Sequence, residues 1–152
     1  ILTPAGVRVI EFNARFGDPE TQVVLARLES PLSRYLLAAA QGDLASVPQP
    51  EFSDEPALIV VLASEGYPGD IVTGRAITGL EAATAVPGVG IVHAATARDA
   101  DGGWIATGGR VLGVVARGET FAEARARAYT AMGEIELEGG QYRTDIALRV
   151  AE

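Results

Sequence analysis

The chain has 152 residues, enough for one ordinary domain or two small ones, and 48% of them are hydrophobic, which supports a packed core and argues against disorder. Its formal net charge of -8 argues against a nucleic-acid surface, since phosphate backbones are bound by clustered positive charge, although one or two arginines could still bind a small anion. All 12 basic residues are arginines, so lysine Schiff-base or P-loop chemistry is excluded within this chain. Cysteine is absent, which excludes thiolate catalysis and disulfides within it.

Residues 6–16 alternate between two faces and predict a β-strand. One face carries three polar side chains, Glu11, Asn13 and Arg15. The opposite face consists of aliphatic and aromatic side chains, namely Ile10, Phe12, Ala14 and Phe16. We expect this apolar face to anchor the strand in a core.

Two helices are predicted after this strand. Asp18 is suited to cap the first, and Pro19 fits its first helical position, with the helix ending near Leu28. A second helix is expected to begin at Ser30-Pro31 and to end near Gly42. The stretch "ASVPQPEFSDEP" that follows holds three prolines and no periodicity, so it predicts a linker, which we place at residues 51–56.

Beyond the linker, short strands alternate with glycine-rich turns. Strands are predicted over residues 57–64, 90–97, 104–109 and 110–118, with a hairpin turn at residues 98–103. Residues 120–135 predict a helix that begins with a Thr120/Glu123 capping box. Its expected apolar face comprises Phe121, Ala124, Ala128, Met132 and Ile135. The predicted class is α+β, with the end of an α/β domain (residues 1–50) followed by a small C-terminal domain rich in antiparallel strands (residues 57–152).

The polar face of the first strand could serve a nucleotide site. Glu11 and Asn13 offer hard oxygen donors roughly 7 Å apart along a strand, and Mg²⁺ is held by such oxygens together with substrate phosphates. Arg15 can bind a carboxylate or phosphate through its fork of donors. The same pattern also fits an ordinary amphipathic edge strand. Asp18 and Glu20 likewise fit the ordinary preference for acidic residues at a helix start.

The run "VIEFNARFGDPETQ" (residues 9–22) closely resembles the metal-binding strand of the phosphoribosylamine–glycine ligase family, also called glycinamide ribonucleotide synthetases, which are ATP-grasp enzymes of purine biosynthesis. Residues 56–81, 93–129 and 138–149 resemble the C-terminal domain of that family, in the same order. The resemblance covers essentially the whole chain, but only the last third or so of such a protein. Glu65 stands where a lysine is expected, and Ala95 where a glycine is common.

The resemblance implies roles for the polar residues near the start. Glu11 and Asn13 would be ligands of Mg²⁺ or Mn²⁺ that bridges the phosphates of ATP, with a further acidic ligand expected upstream. Arg15 would bind the glycine carboxylate or a phosphate, the alternative being a surface ion pair with Asp18 or Glu20. Asp18 would orient the amine substrate, with helix capping as the alternative. We therefore predict Arg15 and Asp18 as catalytic and substrate-binding residues.

In the C-terminal domain the best candidate is the stretch Gly108-Gly109-Arg110. Two glycines allow a close approach of the backbone to a ligand. In related ATP-grasp purine enzymes an arginine of this domain holds the ribose phosphate, so the likeness implies that Arg110 binds that phosphate with Gly109 beside it. A turn followed by a solvated arginine is the alternative. The only histidine, His93, argues against multi-histidine metal sites and a Ser-His-Asp triad, and we expect a structural role for it.

The resemblance implies a ligase that joins glycine to 5-phosphoribosylamine through a glycyl phosphate, with ATP converted to ADP and phosphate. Two alternatives stay open: another ATP-grasp carboxylate–amine ligase, and a non-catalytic anion-binding module that uses Arg15 and Arg110. Since the chain begins at Ile1, we expect upstream residues to be missing and this part alone to be inactive. Its partner would be the N-terminal part of the same monomeric protein. No signal peptide or membrane-spanning run is found, so a cytoplasmic location is expected.

Overall fold

The computed structural model describes residues 1–12 and 15–151. The strands found there are β1 (Leu2–Thr3), β2 (Gly6–Val7), β3 (Ala57–Ala63), β4 (Ala76–Thr78), β5 (Val89–His93), β6 (Thr96–Arg98), β7 (Trp104–Ala106), β8 (Arg110–Arg117) and β9 (Glu136–Leu137). The helices are α1 (Glu20–Arg27), α2 (Leu32–Ala40), α3 (Leu80–Thr84) and α4 (Phe121–Glu134). Helices and antiparallel sheets together confirm the α+β class. None of the helices in these residues has the length and apolar character needed to cross a membrane.

A three-stranded antiparallel sheet with the order β3-β8-β5 lies at the centre of the fold. Leu58, Val60 and Leu62 of β3 share one face, on which they pair with inward-facing residues of β8. Helix α4 covers this face with small side chains and one methionine, all nearly inaccessible to solvent: Ala124, Ala128, Ala131 and Met132. Small side chains allow a helix to lie close to a sheet, so this face forms the main core.

Helix α1 packs on the opposite face of the same sheet. Gly113 of β8 pairs with Val61 there, and a Cβ atom at Gly113 would lie only 2.4 Å from Cδ1 of Ile59. A side chain at this position would therefore force its neighbour to move. The missing side chain leaves a small cavity between sheet and helix, which Gln22 of α1 helps to line.

The start of α4 confirms Thr120 as the predicted cap, while Glu123 binds the residue before the cap instead of the cap itself. Oγ1 of Thr120 accepts a hydrogen bond from the backbone N of Glu123 (3.1 Å), and the Glu123 carboxylate accepts one from the backbone N of Glu119 (2.7 Å). These bonds satisfy donors that the helix itself cannot pair. The prediction for the apolar face is wrong at Phe121, which is 39% exposed. It is confirmed at Ala124, Ala128, Met132 and Ile135.

A second, four-stranded antiparallel sheet has the order β6-β7-β4-β9. The predicted hairpin turn between β6 and β7 is confirmed, with Oδ1 of Asp99 accepting hydrogen bonds from the backbone N atoms of Asp101 (3.0 Å) and Gly103 (2.7 Å). The single strand predicted over residues 90–97 is wrong. The chain turns at residues 94–95, so that β5 and β6 belong to different sheets.

The strand predicted over residues 6–16 is largely wrong for the residues that the structure describes. Only β2 forms there, in a short hairpin with β1 that Arg8 extends through backbone hydrogen bonds with Ile1 (2.9 and 2.7 Å), and residues 9–12 belong to no strand. A strand needs a hydrogen-bonded partner, which alternation of side chains cannot reveal. Accordingly, Ile10, Phe12 and Phe16 are 73%, 88% and 63% exposed instead of buried in a core.

The predicted linker is attached to the end of α1. The backbone N of Glu29 donates to the carbonyl oxygen of Glu51 (2.9 Å), and that of Ser53 donates to the carbonyl oxygen of Arg27 (2.8 Å). The guanidinium of Arg27 also binds the carbonyl oxygen of Ser53. The first half of residues 51–56 is thus ordered by hydrogen bonds, and the predicted domain boundaries on either side of it stay predictions.

Candidate functional site

The structure brings together two of the predicted site residues, Asp18 and Arg110, which are 92 positions apart. Arg110 is the first residue of β8, and Asp18 lies just before α1. Nη2 of Arg110 lies 3.1 Å from Oδ2 of Asp18, while Nη1 donates to the Asp18 carbonyl oxygen at 3.2 Å. Both side chains are nearly half exposed, so the unused donors of the guanidinium can reach a ligand.

Asp18 does not cap α1 as predicted. The helix begins at Glu20 with Pro19 at its N-cap position, and no side chain accepts a capping bond there. The Asp18 carboxylate lies one residue too early and accepts other hydrogen bonds. Its Oδ1 binds Nε2 of Gln22 (2.8 Å), and its Oδ2 faces Arg110. The aspartate therefore connects the first helix to the first residue of β8.

An open pocket of about 330 Å³ lies beside Arg110. Its lining residues are Val61, Ala63, Tyr67, Arg110, Gln141, Tyr142 and Arg143. Arg143 forms two hydrogen bonds to Asp145, at 2.8 Å and 2.6 Å. Hydrogen bonding to that carboxylate raises the pKa of Arg143, and the same bonding lowers the pKa of Asp145. The pocket thus has two guanidinium groups, each paired with an aspartate, and the volume of a small-ligand site.

The backbone before Arg110 is fixed by Ser64, which is buried. Oγ of Ser64 donates to the carbonyl oxygen of Gly108 (2.8 Å), and its backbone N donates to that of Gly109 (2.9 Å). A Cβ atom at Gly109 would lie 2.5 Å from Cδ2 of Tyr67. The close approach that Gly109 allows is therefore that of the protein's own Tyr67 ring, and its part in substrate binding stays a prediction.

The third wall of the pocket comes from residues 141–143, which the sequence interpretation did not place in the site. The backbone of Gln141 exchanges hydrogen bonds with Ala63 (2.8 and 2.9 Å), and its side-chain Nε2 donates to the carbonyl oxygen of Tyr67 (2.6 Å). This pairing carries Arg143 into the same pocket as Arg110. The polar run after Gly139-Gly140 was the only local signal for these residues.

The loop that begins at Glu65 closes another side of the pocket with Tyr67. It is a turn in which the backbone N of Gly69 donates to the carbonyl oxygen of Gly66 (2.7 Å). Glu65, which stands at the position of an expected lysine, forms an ion pair with Arg75 at 2.5 Å. Its carboxylate therefore helps to hold the loop.

The remaining predicted residues near the start of the chain are not tested by this geometry. Glu11 is exposed, and Asn13 lies outside the described residues. Arg15 is exposed, and its Nη1 donates to the carbonyl oxygen of Phe16 (3.1 Å), whereas the ion pair of Asp18 is formed with Arg110. Among the described residues, no cluster of three or more histidine or acidic side chains could hold a metal ion. The metal and anion roles of these residues stay predictions.

His93 makes the contacts of a structural histidine. Its ring stacks on Trp104 with 4.1 Å between centroids, and Nδ1 forms a hydrogen bond with Oγ1 of Thr96 (3.0 Å). The guanidinium of Arg98 lies 3.8 Å from the centroid of the Trp104 ring. This group of side chains holds the corner between β5 and β6, and none of these residues lines the pocket beside Arg110.

Comparison with known proteins gives a consistent result. Residues 57–149 match the family described as phosphoribosylglycinamide synthetase, C domain. Over 150 residues the chain is 63% identical to the phosphoribosylamine–glycine ligase of Leifsonia xyli subsp. xyli, a match that covers 98% of this chain and 36% of that protein. It is 54% identical over 152 residues to the phosphoribosylamine–glycine ligase of Streptomyces coelicolor, covering 99% of this chain and 36% of that protein.

A solved structure extends the likeness to three dimensions. The crystal structure of phosphoribosylamine–glycine ligase from Thermotoga maritima is similar to this chain with a TM-score of 0.78 at 33% sequence identity, covering 95% of this chain and 34% of that one. The chain therefore spans about a third of the length of the relatives it matches.

Proposed function

Because this chain belongs to the phosphoribosylglycinamide synthetase family, whose C domain it contains, we propose that it works as the C-terminal part of a phosphoribosylamine–glycine ligase. Such an enzyme would join glycine to 5-phosphoribosylamine in purine biosynthesis and convert ATP to ADP and phosphate. The observation that carries the proposal is the position of Arg110, which shares a pocket of about 330 Å³ with Arg143 in a chain of this family.

Arg110 is the proposed ligand for the phosphate of 5-phosphoribosylamine. A guanidinium has five N–H donors. Nη1 of Arg110 donates to the Asp18 carbonyl oxygen and Nη2 faces the Asp18 carboxylate, so further N–H donors are left for a phosphate. Its planar fork matches the spacing of phosphate oxygens, and Arg143 adds a second positive charge to the same pocket. The ion pair with Asp18 holds the guanidinium in one orientation before the substrate arrives.

The proposed reaction has two steps. A carboxylate oxygen of glycine attacks the γ-phosphorus of ATP, which gives glycyl phosphate and releases ADP. The amine nitrogen of phosphoribosylamine then attacks the acyl carbon, the bond to phosphate oxygen breaks, the nitrogen loses a proton, and the amide and free phosphate remain. The protein contributes positioning and electrostatic stabilisation, with Arg15 binding the glycine carboxylate or a phosphate and Asp18 orienting the amine. No enzyme nucleophile is required, which agrees with the absence of cysteine.

Glu11 and Asn13 are the proposed ligands of Mg²⁺ or Mn²⁺. A carboxylate and an amide oxygen are hard donors of the kind these ions prefer, and phosphate oxygens complete such coordination shells. Glu11 is exposed. When bound, the ion would neutralise charge on the phosphates of ATP.

We further propose that the chain alone does not catalyse the reaction. It has no lysine to bind nucleotide phosphates, and it spans about a third of its relatives, so the remainder of the ATP site would come from the N-terminal part of the same monomeric, cytoplasmic polypeptide. Calorimetry should detect no micromolar binding of ATP to the 152-residue chain. Micromolar binding, or product formed by this chain, would contradict the proposal.

The test of the proposed function is Arg110→Ala in the full-length protein, meaning the polypeptide that carries this chain. Losing a charge-assisted contact to phosphate should lower kcat/KM for phosphoribosylamine by about 10- to 150-fold, while the KM values for ATP and glycine stay nearly unchanged. Arg110→Lys should recover only part of the loss, because an ammonium group lacks the planar fork.

The matched control is Arg149→Ala, which removes an exposed arginine outside the pocket and should leave all three substrates unaffected. An unchanged constant for phosphoribosylamine in Arg110→Ala, or an equal loss for all three substrates, would show that Arg110 is structural.

A further inference from the structure

The side chain of Gln22 has one amide atom with a clear partner and one without. Its Nε2 donates to Oδ1 of Asp18 at 2.8 Å. Its Oε1 is buried and accepts no hydrogen bond within the described part of the chain. Buried acceptors are nearly always paired, so this orphaned oxygen needs an explanation.

The orientation of the amide is set by its neighbour. An ionised carboxylate can only accept hydrogen bonds, so the Asp18 carboxylate requires the NH₂ group of Gln22 to face it. A flipped amide would place two oxygens 2.8 Å apart and lose the bond to Asp18. The atom left without a partner is therefore the amide oxygen, Oε1.

The surroundings of Gln22 do not require a polar side chain. It lies between α1 and the sheet, in a cavity of about 20 Å³ whose walls are largely aliphatic. The lining residues are Asp18, Gln22, Ile59, Val61, Val92, Ala94, Arg110, Leu112 and Gly113. An unbranched apolar side chain of similar length would fill this space without burying an unpaired oxygen, so packing alone would favour methionine over glutamine.

We infer that Gln22 is a positioning residue for Arg110 and acts through Asp18. The amide nitrogen fixes one carboxylate oxygen of Asp18, and the other oxygen then lies 3.1 Å from Nη2 of Arg110. The three side chains form a relay from the first helix to the pocket, and the relay sets the direction in which the remaining guanidinium donors point. The substrate readout rests on the proposed function, in which Arg110 binds the phosphate of phosphoribosylamine.

The test is Gln22→Met in the full-length protein. The KM for phosphoribosylamine should rise by about 3- to 20-fold, as expected for loss of a hydrogen bond to a charged group, with kcat and the KM values for ATP and glycine changed less than about twofold. The Tm should stay the same or increase. Gln22→Glu should raise the KM further, because its carboxylate would repel Asp18. Gln41→Met, an exposed change at the end of α2, is the matched control and should have no effect.

Coupling separates positioning from a general structural effect. In the Arg110→Ala background, Gln22→Met should cause a clearly smaller loss than in the wild type, because Arg110 is then absent and only the proposed contact of Asp18 with the amine can still respond. An equal loss in both backgrounds, or a lower Tm that accounts for the loss, would overturn the inference.

A second measurement does not depend on turnover. If the full-length protein has no ligase activity, crystal structures of the wild type and Gln22→Met still test the relay. A guanidinium that leaves Asp18 in the variant supports the inference although the proposed function has failed. A guanidinium that stays on Asp18 overturns the inference although the proposed function stands.

Discussion

The two halves of the chain differ in how they treat apolar side chains. In the first 50 residues, Phe12 is 88% exposed and Leu37 60% exposed, and within the described residues Ala38 is the buried core member of this half. In residues 57–151, by contrast, Val60 and Val114 are fully buried between the central sheet and α4. The second half therefore has its own core, whereas the first half is attached mainly through α1 and the hydrogen bonds of residues 51–53.

The candidate site contains residues from both halves. Asp18 and Gln22 come from the first half, while Arg110 and Arg143 come from the second. The half with the buried core thus supplies the cationic residues, and the weakly packed half supplies the groups that orient Arg110. Order in the first half should therefore matter more for function than for stability.

The largest effect should come from matched truncations in the two halves. Leu112→Ala should lower the free energy of unfolding of the 152-residue chain by about 2–5 kcal/mol, because Leu112 is 1% exposed and the truncation leaves a cavity. Phe12→Ala should change it by less than about 0.5 kcal/mol. Urea denaturation measures both, and similar losses would show that the two halves share one core.

A smaller effect is expected from filling the space under α1. Gly113→Val should lower the free energy of unfolding by about 1–3 kcal/mol, because the new side chain would overlap Ile59 and push against α1. The amides of α1 should then exchange hydrogen faster. Gly90→Val on β5 is the control, since a Cβ atom at Gly90 meets nothing within 4 Å. Unchanged exchange in α1 would mean that this helix is not held through Gly113.

The ion pair between the halves should add little stability. Asp18→Asn should change the free energy of unfolding by less than about 1 kcal/mol, because both charged groups are nearly half exposed and water screens them. The change should shrink when NaCl is raised to about 1 M. A loss of several kcal/mol in urea denaturation would instead assign a structural role to the pair.

The smallest effect is a pH dependence in the second half. Arg143 lowers the folded-state pKa of Asp145 through hydrogen bonding, so the stabilisation is complete at neutral pH, where Asp145 is ionised in both states. It disappears as the pH falls below about 4, the ordinary aspartate pKa, towards the lowered one. Asp145→Asn should therefore flatten the stability curve only in that range. Thermal melts from pH 2 to 7 would show it, and a difference that grows above pH 5 would contradict this assignment.

The sequence predicted the second half better than the first because local patterns decide more of it. Short apolar runs gave β3 and β8, the Asp99 turn gave a hairpin, and Thr120 with Glu123 marked the start of α4. The alternation of residues 6–16 gave a long strand, of which only β2 forms among the described residues, because no pattern within a segment shows whether a partner strand is present.

The sequence predicted individual residues of the site but not their positions relative to one another. Arg110 and Asp18 were identified individually, but their pairing depends on how α1 packs on the sheet, across 92 positions of sequence. Gln22 was missed because a glutamine within a helix carries no local signal. Arg143 reaches the pocket only through the pairing of Gln141 with Ala63, which is a tertiary contact as well.

The corner at Ala95 connects the first residue of β8 to the segment that follows β7. The backbone N of Ala95 donates to the carbonyl oxygen of Arg110 (3.1 Å), and its own carbonyl oxygen accepts from the backbone N of Thr107 (2.9 Å). Its methyl group also occupies the space that a side chain at Gly108 would need. A larger side chain at position 95 would therefore press on Gly108 and shift the backbone at Arg110, so the size of this residue helps to set where the arginine of the pocket lies.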